Sequence, residues 1–162
     1  RSWRLLVTRY GDPAPGPAPA RMRVPPSARA WRAIPSWEFH RGGVDPGRMR
    51  TIAGVAARAD ALERLSTAEP LTSLPGVGVW TAAEVAQRAF GDADALSVGD
   101  YHLSNMIGWT LLGRPIDDAA MVDLLEPMRP HRYRAVRLLE VSRLAQLPRR
   151  GPRLARHRIS GL

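Results

Sequence analysis

The sequence predicts an all-α fold, an array of about eight short helices joined by turns. Apolar residues recur at three- and four-residue spacings, Asp, Ser, Pro and Gly punctuate those segments at cap positions, and no segment alternates as a strand would. At 162 residues the chain is one domain's worth, long enough for a real core.

Each element has a local cause. Ser2 to Tyr10 reads as the end of an amphipathic helix, with Trp3, Leu5, Leu6 and Val7 apolar. Residues 11–26 hold six prolines and two glycines, which exclude regular structure and predict a long, stiff surface loop. Ser27 supplies an N-cap for a helix through Trp31 to Ile34, ended by Pro35; Ser36 caps a further turn or two that stops at Gly42-Gly43. Asp45-Pro46 is a strong start, Asp as N-cap and Pro at the first helical position. The helix that follows places Met49, Ile52, Val55, Ala56 and Ala59 on one face and is expected to run on towards Leu65.

Thr67 to Leu74 is predicted as a short helix with Pro70 in its first turn. A tight turn then leads into a helix from Val79 to Phe90, which Gly91 terminates. Asp100 stands at or near the N-cap of a helix that reaches Leu112 and ends at Gly113. Asp117 or Asp118 caps a helix to about Glu126, and His131 to Gln146 forms the last. From Pro148 the chain is rich in Arg, Pro and Gly without periodicity, so 1–146 is read as the folded domain and 147–162 as a disordered basic tail.

Composition narrows the chemistry. There is no Cys, which excludes a disulfide framework, a Cys-ligated metal and a four-Cys iron–sulfur cluster. No apolar run approaches a membrane span and no signal peptide precedes the first helix, so a soluble, cytoplasmic protein without a membrane partner is expected. All 24 basic residues are Arg. The net charge of +9 is unevenly spread: residues 1–58 carry +8, residues 59–128 carry −8, and residues 129–162 carry +9. Arg-rich flanks around an acidic centre can grip phosphates on either side of a site, although solvated surface charge explains any single Arg as well.

The segment LPGVGVWTAAEV, Leu74 to Val85, carries the sharpest signal. Pro75, Gly76 and Gly78 make a turn too tight for side chains, and a helix begins directly after it. The first amides of that helix have no intrahelical partner and can point at an anion such as a DNA phosphate. Asp100 follows 22 residues beyond Gly78, at the head of the next helix.

LPGVG, the Trp80-Thr81-Ala82 that follows it, and Asp100-x-His102 at this separation resemble the helix-hairpin-helix DNA glycosylase superfamily, in particular its 3-methyladenine DNA glycosylase II type. A looser likeness in GVDPGRMRTIAGVA and RPHRYRAVRLLE extends it over most of residues 1–146. The resemblance implies one helix-hairpin-helix motif and removal of alkylated purines from damaged double-stranded DNA in base excision repair. It implies Asp100 as the catalytic carboxylate, which stabilises charge developing on the deoxyribose and orients the attacking water; a bare helix cap is the structural alternative. In the strand-cutting branch of the family a Lys stands two residues after the last hairpin Gly, where this chain has Trp80. With no Lys anywhere, only the terminal amine could form a Schiff base, so a monofunctional hydrolase is expected.

The same resemblance assigns phosphate binding to Gly76, Val77 and Gly78, joined by Thr81 and His102, each of which also has a purely structural reading. Trp80 either lines the base pocket or packs behind the hairpin, and Tyr101 is a second candidate wall. Glu84 and Glu140 align with positions where bacterial relatives carry aromatic residues; two carboxylates there favour a cationic base or hydrogen bonding over stacking, or are simply solvated. No cofactor is required, though hairpin carbonyls of this family often hold a monovalent cation that bridges to the phosphate. No sign of oligomerisation or of an obligate protein partner is present, and a monomer associated with the nucleoid through DNA is expected. In the resembled enzymes a wedge helix that enters the DNA stack precedes the helix ending near Tyr10, so the domain is expected to lack its N-terminal part.

Overall fold

The computed structural model describes residues 1–142 and 144, so the expected basic tail lies outside the described residues. The chain is all-helical, with no strand among the described residues. Its helices are α1 (Ser2–Tyr10), α2 (Ala28–Ala33), α3 (Ser36–Arg41), α4 (Pro46–Ala56), α5 (Ala59–Leu62), α6 (Val79–Ala89), α7 (Leu103–Leu112), α8 (Asp118–Leu125) and α9 (Arg132–Ser142). Two 3₁₀ segments, Glu69–Ser73 and Glu126–Met128, complete them. The chain divides into two compact units, each with its own buried cluster. Residues 1–65 and 74–76 make the first, and 66–73 with the described residues from 77 onward make the second.

In the first unit α2 and α3 pack on α4, and α1 packs on α3. Leu6, Ile34, Phe39 and Val44 are buried together, with Met49 and Ile52 of the predicted α4 face against them. Trp31 stacks between Trp3 and Phe39, at 5.9 and 6.2 Å between ring centroids. Buried Glu38 is balanced by Arg9 at 3.1 Å and Arg41 at 3.4 Å, as a buried carboxylate requires. The caps at Ser27 and Asp45 form as expected, accepting from the amides of Ala30 at 3.2 Å and Arg48 at 2.9 Å. The proline-rich loop is less irregular than predicted: the amide of Ala14 donates to Met22 O and that of Val24 to Asp12 O, both at 3.0 Å, which ties its two arms into a single antiparallel bridge.

Three boundaries differ from the sequence reading for local reasons. The α4 helix stops at Ala56, where the Arg58 guanidinium takes the Gly54 carbonyl at 3.0 Å and a turn separates off α5. Within the predicted Thr67 to Leu74 helix there is only the 3₁₀ segment Glu69–Ser73, because Pro70 has no amide to donate and the hydroxyls of Thr72 and Ser73 claim carbonyls three residues back. Ser36 is the first residue of α3 and does not cap it; Pro35 holds that position.

The second unit is built on α7, α8 and α9. Ile107, Met121 and Leu125 are fully buried, with Leu103, Met106 and Val136 around them. Of the two Asp candidates for the α8 cap, Asp117 accepts the Ala120 amide at 2.8 Å, while Asp118 accepts the Gly99 amide at 2.8 Å and so holds the loop before α7. The turn after α6 is tied to the start of α9 by a fork. Arg132 Nη2 lies 2.6 Å and Nε 2.9 Å from the two Asp94 oxygens, the Arg132 amide donates to Oδ1 at 3.1 Å, and Arg129 adds a contact at 3.0 Å. Glu126 completes the group against Arg129 at 2.6 Å and Arg132 at 3.3 Å.

The Arg132 hydrogen bonds hold the Asp94 carboxyl below its ordinary value of 3.8, with burial opposing them. A lowered carboxyl contributes stability that is complete above its unfolded value and is lost as pH falls through the folded one. Asp94→Asn is therefore expected to cost about 2 kcal/mol at neutral pH by denaturant unfolding. The gap to the unsubstituted chain should stay constant down to about pH 5 and close below it; a gap that persists unchanged into acid would contradict the assignment.

Candidate functional site

In the second unit α6, the loop 96–103 and α9 enclose a cleft of about 270 Å³. It brings together four of the residues singled out from sequence: Glu84, Asp100, His102 and Glu140. Asp100 does not begin the helix; α7 starts at Leu103, after a turn through Tyr101 and His102. From that turn Asp100 Oδ1 accepts the amides of His102 at 2.8 Å and Leu103 at 3.0 Å, reaching the orphan donors of α7 from outside it. Oδ2 accepts the Trp80 indole N–H at 3.2 Å. The carboxylate is thus oriented at three points, and Oδ2 keeps lone-pair capacity.

Trp80 is not core. It is 41% exposed, and its tie to the site is the indole hydrogen bond. Tyr101 stands outside the cleft at 86% exposure, its ring edge-on to His102 at 4.7 Å. His102 lines the cleft mouth through its side chain and orders Asp100 through its amide.

The sequence reading missed the polar ring behind Glu84. Gln87, buried on α6, donates to Ala95 O and to Ser97 Oγ, each at 2.9 Å; Ser97 in turn donates to Glu84 Oε1 at 2.6 Å, and Arg88 holds Oε2 at 2.8 Å. Across the cleft Arg137 pairs with Glu140. A signal for Gln87 existed: it is a polar side chain beside the small, buried Ala82 and Ala86. Ser97 had none, because only the folded loop brings it to α6.

The hairpin is divided between the units, Leu74–Gly76 belonging to the first and Val77 onward to the second. Gly76 has φ +83°, and a Cβ there would lie 2.0 Å from Thr51 Oγ1, whose one hydroxyl hydrogen is shared between Gly47 O and Pro75 O, each at 3.2 Å. Gly78 is different: φ −97° is open to any residue and a Cβ would meet nothing within 4 Å. It is the N-cap of α6 with no side-chain cap, and the first bond of the helix is Ala82 N to Gly78 O at 3.0 Å. The amides of Val79, Trp80 and Thr81 have no partner within the helix.

Among the described residues no group of His, Asp or Glu is arranged to hold a metal ion. No family model, curated protein or solved structure matches the chain.

The two hairpin glycines should separate in a thermal melt. Gly76→Ala is expected to destabilise by about 2 kcal/mol, from left-handed backbone strain and the clash with Thr51, whereas Gly78→Ala should lose less than about 1 kcal/mol, the N-cap preference for Gly over Ala. Equal losses would mean that Gly78 also serves the fold.

Proposed function

We propose that the chain is a monofunctional DNA glycosylase acting in base excision repair, which hydrolyses the N-glycosidic bond of alkylated purines in double-stranded DNA. The observation that carries this reading is Asp100, oriented at both oxygens and placed on a cleft large enough to take part of an extruded base. The second support is the absence of Lys, which leaves no side-chain amine for strand cutting.

An alkylated purine nucleoside carries positive charge in its ring, so its C1′–N bond is already weakened. As that bond breaks, its electrons neutralise the departing base, which then needs no general acid. Positive charge appears on the sugar, and the Asp100 carboxylate offsets it in surroundings partly shielded from water. Water adds to C1′ and loses its proton to Asp100 or to solvent. The unpaired amides at the head of α6 supply the anion site for a backbone phosphate. A cation at the hairpin carbonyls would add charge towards that phosphate. The cytoplasm, with the nucleoid as the DNA-bound fraction, is the corresponding location, and among the described residues no helix is long and apolar enough to cross a membrane.

The double amide contact of Asp100 also favours a rival, a non-catalytic helix-hairpin-helix DNA-binding module in which this carboxylate only caps. Asp100→Asn separates the two, since Asn caps as well as Asp but carries no charge. On methylated duplex DNA the variant is expected to release free base at least about a hundredfold more slowly, with stability lowered by no more than about 1 kcal/mol through the Trp80 bond, which the Asn amide nitrogen does not accept. Equal rates would refute the role of Asp100, and no release by either chain, with salt-sensitive duplex binding kept, would establish the binding module.

Gly78→Ala tests the anion site. The methyl group should weaken duplex binding to all sequences alike, because phosphate contacts position the protein and do not read bases. Unchanged affinity in a salt titration would remove the head of α6 from the interface.

A further inference from the structure

We infer that Glu84 is the specificity-determining acceptor of the cleft, held by a Gln87–Ser97 relay to select a purine that combines N–H donors with positive charge. The inference rests on the glycosylase reading for its substrate class, but its geometry stands independently.

Proton bookkeeping gives the relay a direction. The Gln87 amide nitrogen has two hydrogens, and these go to Ala95 O and Ser97 Oγ, both at 2.9 Å. Ser97 Oγ, already accepting, spends its one hydrogen on Glu84 Oε1 at 2.6 Å. Gln87 and Ser97 are both buried, so neither is free to turn to water instead. Arg88 fixes the other oxygen from the next turn of α6 at 2.8 Å. Glu84 is therefore held by donors on both oxygens, with its side chain 26% exposed and on the cleft wall. Each oxygen retains acceptor capacity, which only an incoming donor can use.

A solvated surface glutamate needs no such support, and burying Gln87 and Ser97 to orient one is costly unless orientation matters. The cleft offers little stacking surface: among its lining residues Tyr133 is the one aromatic apart from His102. Recognition by charge-assisted hydrogen bonding is what remains, and such bonds are about twice as strong as neutral ones. Among the described residues Glu140, which lines the same cleft, is held by Arg137 from one turn away, without a buried relay behind it.

The test uses free nucleosides and the full 162-residue chain, so it depends on neither DNA binding nor catalysis. Amide resonances are followed during titration at pH 6 with 7-methylguanosine, whose ring is cationic, and with guanosine, which has the same donors and no charge. The expected result is about tenfold tighter binding of the methylated nucleoside, with the largest shifts at Ser97 and the Gln87 side-chain amide. In Glu84→Gln the preference should fall to within about twofold, while Glu140→Gln keeps it. Ser97→Ala, which retains the charge but breaks the relay, should also weaken 7-methylguanosine binding. Equal affinities in the unsubstituted chain, a preference that survives Glu84→Gln, undiminished 7-methylguanosine binding in Ser97→Ala, or equal losses in Glu84→Gln and Glu140→Gln would each overturn the inference. A chain that shows the preference yet releases no base from methylated DNA would refute the glycosylase reading and leave Glu84 as the selector. Base release without the preference would do the reverse.

Discussion

The second unit depends on one ion pair, the fork between Asp94 and Arg132. The chain leaves α6 through Gly91, whose φ of +68° turns it, and then has a loop of about ten residues with few backbone partners of its own. Asp92 orders the first part by accepting the amides of Asp94 and Ala95 at 2.8 and 3.2 Å. Asp94 then reaches across to α9, where the Arg132 side chain is only 11% exposed. Two parallel bonds to a planar guanidinium fix orientation as well as distance, which a single lysine contact would not do. With the loop held at 94, Ser97 is delivered to α6 and Asp100 to the head of α7. Removing either partner would leave the other with a single ion pair in place of the fork, Asp94 with Arg129 at 3.0 Å or Arg132 with Glu126 at 3.3 Å, so the loop would lose the orientation that the two parallel bonds fix.

Asp100 holds three donors with one carboxylate. Its two oxygens face different demands: Oδ1 satisfies amides that α7 cannot satisfy itself, and Oδ2 takes a single, longer bond from an exposed indole. The capping bonds set the carboxylate's direction without using all of its acceptor capacity. A carboxylate preorganised in this way has little reorganisation left to make when positive charge appears nearby. Glu84 follows the same logic from the other wall, with a serine and an arginine in place of amides.

The hairpin illustrates why two glycines in one motif need not have the same cause. At Gly76 the fold demands glycine twice over, through left-handed backbone and through the Thr51 hydroxyl. At Gly78 the fold demands nothing, and the space a side chain would fill lies at the uncapped head of α6. From sequence both had been read as steric relief for an anion; the backbone gives Gly76 a cause within the fold and leaves Gly78 without a steric one.

What the sequence determined by itself was local. The helical class, the caps at Ser27, Asp45 and Asp117, and the stops at Gly91 and Gly113 each depend on residues within one or two turns, and each is found. The candidate residues Glu84, Asp100, His102 and Glu140 were also legible, through resemblance and not through periodicity. Only the tertiary structure decided that one cleft gathers those four and that Trp80 binds Asp100 and is not core. The reason is range. The bonds responsible join residues 13, 20, 24 and 38 positions apart, at Ser97–Glu84, Trp80–Asp100, Thr51–Pro75 and Asp94–Arg132. Capping and amphipathic spacing act over about four residues and say nothing about which distant donor will meet which acceptor.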